Sequence, residues 1–330
     1  MKILSIIIPS YNVSEYIDQC ISSLLQDEEI NEYLDIIAIN DGSKDDTLEK
    51  IKKYEELYPG IVRAIDKENG GHGSGINKGV ELAQGKYLKV LDSDDWVLQE
   101  GLSALVKYLQ GLKEEPDILI NPFEFVYEGT GKREKADYDA LKKYELCDID
   151  ELVKNKYYAT IHSVTFKSAI YKDNPVPALD TKVSYDDIEY LLYPMPYVNT
   201  VIYLPDVIYE YRYGTEGQSV SKQNYIRRRD QHKKIILSLI GYYKANKERF
   251  SESQEKYYLG RLYMMINDHI NIYLSMDDVK ESKAEFAQFV RECEGFDLSG
   301  TENKKLKLFM KTNFACYGPV KRYFNRFKQH

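Results

Sequence analysis

The chain has 330 residues, of which 43% are hydrophobic and 30% charged. That balance excludes a fibrous or extensively disordered protein and, at about 100–200 residues per domain, implies two compact units or one large unit with an appendage. The net charge of −8 conceals an asymmetry, because residues 304–330 carry eight basic residues (Lys304, Lys305, Lys307, Lys311, Lys321, Arg322, Arg326 and Lys328) and no Asp or Glu, leaving −16 for the rest. An acidic body excludes a general nucleic-acid binder, whereas the basic tail suits a local anionic partner such as a membrane surface.

The first residues offer Lys2 and then six apolar or small residues before Pro9, too short a run for a signal peptide or a spanning helix. No later run reaches the roughly 18 apolar residues of a membrane span. The four cysteines, Cys20, Cys147, Cys293 and Cys316, are scattered without a CxxC pair, which fits a reducing, cytoplasmic setting. Thirty tyrosines stand against one tryptophan. A tyrosine ring has a flat apolar face and a hydroxyl tip, suited to core filling and to stacking on sugars or bases.

Residues 1–121 alternate short apolar runs with amphipathic stretches, the pattern of βα units around a mainly parallel sheet with helices on both faces. The runs 3–8, 34–39, 61–65, 87–91 and 118–120 predict strands. Between the first two, Ile17, Cys20, Ile21, Leu24 and Leu25 recur at helical spacing, and Leu48, Ile51 and Leu57 do so in the next helix. From about 122 to 215 the pattern loosens into short strand-like stretches and loops punctuated by Pro175, Pro177, Pro194, Pro196 and Pro205. Residues 225–246, 254–274 and 278–293 predict long helices without internal proline. In the tail, Leu306, Leu308, Phe309, Met310, Phe314, Tyr323, Phe324 and Phe327 interleave with the basic residues, and Pro319 is expected to break the segment in two. Such a segment either packs one face on the body or lies on anionic lipid.

Polar clusters follow the strands. Pro9, Ser10, Tyr11 and Asn12 end the first; Asn40, Asp41, Gly42 and Ser43 end the second. Ligands of open α/β sheets bind beyond the carboxyl ends of strands, although Ser and Asp there also serve as ordinary helix caps. The stretch from Glu68 to Gly79 holds Gly71, Gly73 and Gly75. It lacks the dinucleotide fingerprint, because Ile76 stands at the third glycine and the loop follows the third strand. The sharpest signal is Asp92, Ser93, Asp94, Asp95 and Trp96 after an apolar strand. Like charges packed there are costly unless a cation neutralises them, and oxygen ligands select a hard ion such as Mg²⁺ or Mn²⁺, although a capping or solvated turn would also carry them. A second acidic cluster, Asp186, Asp187 and Glu189, also suits an ordinary acidic helix start.

Taken as an ordered set, IIIPSYN, INDGSKDDT, ENGGHGSGINKG and GKYLKVLDSDDWV resemble the inverting family-2 glycosyltransferases of the GT-A fold, over roughly residues 2–221 and best over 2–100. The resemblance implies a Rossmann-like GT-A domain over 1–221, with a nucleotide-binding half at 1–100 and an acceptor half at 101–221. A helical region with the basic tail follows at 222–330. By the same resemblance Pro9, Tyr11 and Asp41 line the nucleoside pocket, and Asn69, Asp92 and Ser93 hold the nucleotide. Asp94 binds Mn²⁺ or Mg²⁺ at the donor diphosphate, and Asp187 is the base. Where many members have Arg-Asn this chain has Ile76 and Asn77, leaving His72 or Lys78 to supply a cation. Tyr211, Arg212 and residues 219–221 resemble the loop that closes over the diphosphate.

The implied reaction moves a sugar from a nucleotide donor, UDP-linked, to a glycan or lipid-linked glycan at the inner membrane face. A sugar nucleotidyltransferase is disfavoured, since it would want a basic, glycine-rich loop after the first strand. A non-catalytic glycan-binding or scaffold protein on the same fold is disfavoured by the two intact acidic clusters.

Overall fold

The structure, a computed structural model, describes residues 1–214 and 222–327. The chain divides into two compact units, Met1–Glu216 and Gly217–His330. Among the described residues the first unit carries strands β1 (Leu4–Ser10), β2 (Leu34–Asn40), β3 (Val62–Asp66), β4 (Tyr87–Val90), β5 (Trp96–Val97), β6 (Ile118–Ile120), β7 (Phe123–Tyr127), β8 (Arg133–Ala136), β9 (Cys147–Asp148), β10 (Val164–Lys167), β11 (Thr200–Tyr203) and β12 (Tyr209–Tyr213). They form an eight-stranded sheet, ordered β3-β2-β1-β4-β10-β6-β11-β9, and a four-stranded sheet, ordered β5-β12-β7-β8.

The first four strands of the large sheet are parallel. β1 and β2 are buried along their whole length, as expected where helices cover both faces. The sheet is mixed beyond that point, since β10 runs antiparallel to both β4 and β6 while β11 is parallel to β6. Register does the positioning: Ser10 pairs with Asn40 and Asn40 with Asp66, and the Leu91 amide donates to the Ile7 carbonyl at 2.9 Å. Asp41, Lys67 and Asp92 therefore emerge along one edge of the sheet.

The glycine stretch forms the helix His72–Leu82, entered through Gly71 at φ +86°, a backbone region that favours glycine. This helix lies flush on β1. A Cβ on Gly75 would come within 2.9 Å of the Pro9 Cβ, and one on Gly79 would run into the Ile7 side chain. Gly79→Ala should therefore destabilise the unit by about 1–3 kcal/mol, the usual cost of overpacking. Thermal unfolding tests this, and an unchanged midpoint would show that β1 can yield.

The second unit is helical among its described residues, with helices Lys222–Arg227, Arg229–Asn246, Glu252–Ser275, Val279–Glu292, Lys304–Lys311 and Tyr317–Phe327. Sequence periodicity expects one helix across the first pair, and the structure interrupts it at Arg228. Ser251 and Gln254 form a capping box, and Asp278 and Asn303 cap the helices that follow them. In the tail the break lies before the expected proline: Asn313 and Phe314 take positive φ, and Pro319 falls in the first turn of the last helix, where its missing N–H costs nothing. Leu306, Phe309, Phe314 and Tyr317 are buried, with Phe309, Phe314 and Tyr317 ringed around Phe286. Lys304, Lys307, Leu308, Met310, Lys311, Arg322 and Tyr323 remain exposed.

His232 and His269 stack inside this unit, rings 5.1 Å apart and 12° from parallel, both buried. Burial holds His232 at about 4 and His269 well below its usual value, the latter with help from the neighbouring His232, Lys233 and Arg229. Both are neutral when folded, so the unfolded chain binds more protons once the pH drops below about 6.5. Stability should then fall from pH 6.5 toward 4, by about 3 kcal/mol for His232 alone. Urea unfolding followed by helical circular dichroism measures it, and a profile flat over that range, or equally steep in His232→Phe, would contradict it.

Candidate functional site

Asp41 follows β2 and is buried. Its carboxylate accepts from the Gly70 amide (2.9 Å), the Gly71 amide (2.7 Å) and the Lys67 ammonium (2.5 Å), while Asn69 Nδ2 donates to the Asp41 carbonyl at 2.9 Å. Asp41 thus organises the loop that carries His72. Asn77 exchanges two hydrogen bonds with the Leu179 backbone (2.9 and 3.0 Å), and the Lys182 amide donates to the Gly70 carbonyl at 2.9 Å. These contacts bring the helix Asp186–Leu192, entered through Tyr185 at φ +73°, against the glycine-rich helix.

His72 spans the two acidic clusters. Its Nδ1 lies 2.8 Å from Asp186 Oδ2 and its Nε2 3.0 Å from Asp92 Oδ1. Burial disfavours its charged form, but Asp186 and Asp92 outweigh that and raise its pKa well above the ordinary histidine value. The same balance holds for Asp92 with the sign of the shift reversed: burial would raise its pKa, and His72 brings it below the usual value. Lys78 pairs instead with Glu81 along its own helix at 2.7 Å. Of the two cations considered at the sequence level, His72 is the one placed among the carboxylates.

The turn after β4 is crowded with negative charge. Burial and then the Asp92 charge raise Asp94; burial, then Asp94 and Asp92, raise Asp95 well above the usual range. Asp95 accepts from the Tyr209 hydroxyl (2.6 Å) and the Arg212 amide (2.8 Å). The Arg212 guanidinium lies between the Tyr16 and Trp96 rings, 4.7 and 4.8 Å from their centroids. It donates to the Asp94 carbonyl (2.8 Å) and Gln19 Oε1 (2.6 Å), so it braces the turn. Ser93 is buried within that turn, Pro9 is buried beneath Gly75, and Tyr11 is 47% exposed beyond β1. Asp187 is half-buried, next to Asp186. Residues 219–221 lie outside the described residues.

His162 and Lys89 carried no sequence signal, and Tyr209 was one of several tyrosines between 185 and 213 expected, without ranking, to shape the acceptor groove. His162 Nε2 stands 3.9 Å from Asp92 Oδ2, and its ring stacks on Tyr211 at 4.6 Å and 22°. Burial lowers it to about 4, leaving it neutral. Lys89, buried in β4, donates to the His162 carbonyl (2.8 Å) and the Val164 carbonyl (3.2 Å), and burial brings its pKa to about 7. Tyr209 links Asp95 to the Asp92 amide, which donates to its hydroxyl at 3.2 Å. Candidate ligand atoms of Asp92, Asp95 and His162 all lie within 4.8 Å of one another. Two carboxyl groups beside a neutral imidazole, with Asp94 next to them, fit a divalent cation such as Mn²⁺ or Mg²⁺.

The sequence profile named Glycosyl transferase family 2 matches residues 5–173. The chain belongs to glycosyl transferase family 2. Relatives of this family-2 chain include an uncharacterized glycosyltransferase, MG060, of Mycoplasma genitalium, 28% identical over 72% of this chain and 78% of that protein. The poly(ribitol-phosphate) beta-N-acetylglucosaminyltransferase TarS of Staphylococcus aureus is 23% identical over 77% of this chain and 43% of TarS. The minor teichoic acid biosynthesis protein GgaB of Bacillus subtilis is 29% identical over 48% of this chain, which spans 17% of GgaB. The S. aureus TarS 1–349 structure in complex with UDP covers all of this chain and 93% of that one at TM-score 0.65 and 17% identity. The fold is therefore GT-A.

Proposed function

We propose that the protein is a metal-dependent, inverting glycosyltransferase that moves a sugar from a UDP-linked donor to a hydroxyl of a glycan or lipid-linked glycan. The observation that carries this is the meeting of two acidic clusters, Asp92–Asp95 and Asp186–Asp187, across His72 at the carboxyl ends of parallel strands in a family-2 chain. Residues 1–100 bind the nucleotide through Pro9, Tyr11, Asp41, Asn69, Asp92 and Ser93, with Arg212 bracing the diphosphate side and Asp94 holding the cation. A bound Mn²⁺ or Mg²⁺ would stabilise charge on the departing diphosphate. Residues 101–221 present the acceptor, and Asp187 takes the proton of its hydroxyl as that oxygen attacks the anomeric carbon. His72 keeps Asp186 and Asp92 at fixed separation. UDP-GlcNAc is the first donor to try, since TarS was solved with it. The test is nucleoside diphosphate release across UDP-, GDP- and dTDP-sugars with Mn²⁺ and after chelation. No release from any donor, or release indifferent to chelation, would refute the reading.

No helix among the described residues is long and apolar enough to cross a membrane. Attachment at the inner face would fall to the exposed Lys304, Lys307, Lys311 and Arg322, each contributing about 1 kcal/mol near an anionic surface. Truncating the tail would strip Phe309 and Tyr317 from the core, so neutralisation is the cleaner test. Lys304→Gln, Lys307→Gln and Lys311→Gln together should abolish low-salt co-sedimentation with phosphatidylglycerol vesicles while leaving solubility intact. Equal sedimentation of both proteins, or binding that persists at high salt, would remove the tail as an anchor.

A further inference from the structure

The small sheet sorts its side chains by register. β12 pairs in parallel with β7, Tyr209 opposite Phe123, Tyr211 opposite Phe125 and Tyr213 opposite Tyr127. Strand alternation places these six rings on one face and Glu210 and Arg212 on the other. The rings touch in sequence: Phe123 and Phe125 have centroids 5.1 Å apart, Phe125 lies 5.6 Å from both Tyr211 and Tyr213, and Tyr213 lies 5.1 Å from Tyr127.

This row has a direction. Phe123 and Tyr209 are buried, while Phe125, Tyr211, Tyr213 and Tyr127 are half-buried. The inner end meets the carboxylates twice, through the Tyr209 hydroxyl on Asp95 and through His162, which stacks on Tyr211 while lying 3.9 Å from Asp92. At the outer end the Tyr127 hydroxyl donates to Glu134 at 3.0 Å and the Lys132 ammonium stands 5.1 Å from the Tyr127 centroid. From Tyr211 to Tyr213 the strand advances about 7 Å, and the paired strand adds about 5 Å across, room for about one sugar ring.

We propose that Tyr211, Phe125, Tyr213 and Tyr127 form a stacking track for the acceptor glycan, leading to the carboxylate site. The inference rests on the transferase reading above. Sugar rings present C–H faces that lie flat on aromatic rings, and their hydroxyls need charged or polar partners, which Glu134 and Lys132 supply at the outer end. A sugar seated on these rings would lie on the approach to the carboxylates, which Tyr211 meets through His162. Core packing accounts for Phe123 and Tyr209 and for the inner sides of Phe125 and Tyr211, which lean on the same core, but not for the half-buried Tyr213 and Tyr127 that continue the row outward.

The test compares wild type, Tyr127→Ala with Tyr213→Ala, and Tyr127→Phe with Tyr213→Phe on a printed array of bacterial surface glycans without nucleotide, alongside calorimetry with UDP and Mn²⁺. The alanine pair should lose glycan binding by roughly tenfold or more while the phenylalanine pair retains it, with UDP affinity unchanged in both. Single Tyr127→Ala, at the outer end, should show a smaller loss if the pair folds poorly. Wild-type binding to no glycan, or equal binding by the alanine variants, would overturn the track. So would a parallel loss of UDP affinity, which would make the rings structural. If glycan binding follows the rings while wild type releases no nucleotide from any donor, the transferase reading falls and the track stands.

Discussion

Asp187→Asn should leave UDP affinity within a few-fold of wild type and reduce sugar transfer by roughly 10²–10⁴, the range for removal of a positioned general base. Asparagine matches aspartate in shape but cannot accept the proton that the acceptor hydroxyl must lose. The local structure separates this residue from its neighbour. Asp186 is buried and held by His72, whereas Asp187 is half-buried one position further along the same helix, where the turn of the helix aims it about 100° away. Asp186→Asn should cost less, because it weakens the His72 bridge without removing the proton acceptor. Initial rates of transfer, with UDP calorimetry as the control, decide between them. A larger loss for Asp186→Asn would move the base to that position and leave Asp187 as its neighbour only.

The alternation of apolar runs and amphipathic stretches in residues 1–121 was enough to read five strands, because buried parallel strands announce themselves as continuous Val, Ile and Leu runs. β10 was not legible. It inserts antiparallel between β4 and β6, pairings with segments distant in the chain, and its four residues carry no pattern of their own that names those partners. The acidic turn and the glycine-rich segment were legible as chemistry, since clustered charge and clustered glycine each need a reason. His162 and Lys89 were not: a lone histidine and a lysine inside an apolar strand mean nothing until β4 and β10 are paired, whereupon the lysine holds the histidine's own carbonyl. The aromatic row depends in the same way on β7 and β12 lying in register. The tail was ambiguous for a different reason. A periodic apolar face with basic flanks suits a core or a bilayer equally, and only the burial of Leu306, Phe309, Phe314 and Tyr317 assigns that face to the core.

Asp94→Ala should abolish the metal-dependent part of UDP binding. Asp92, Asp94 and Asp95 occupy one turn, and both burial and mutual repulsion push Asp94 and Asp95 toward protonation. Adding a diphosphate to that turn without a cation brings further negative charge against it, so donor binding and cation binding are coupled. Calorimetry with UDP in the presence of Mn²⁺, repeated after chelation, measures the coupling: wild type should lose affinity on chelation, and the variant should already have lost it. The competing geometry is the Asp92, Asp95 and His162 group, whose ligand atoms lie within 4.8 Å. Asp95 there is committed to Tyr209 and to the Arg212 amide, which favours Asp94 as the ligand free to turn toward an ion. His162→Ala separates the two. If Asp94→Ala keeps Mn²⁺-dependent affinity while His162→Ala loses it, the cation belongs between β4 and β10 and not at Asp94; if both keep it in wild-type measure, the acidic turn holds no cation at all.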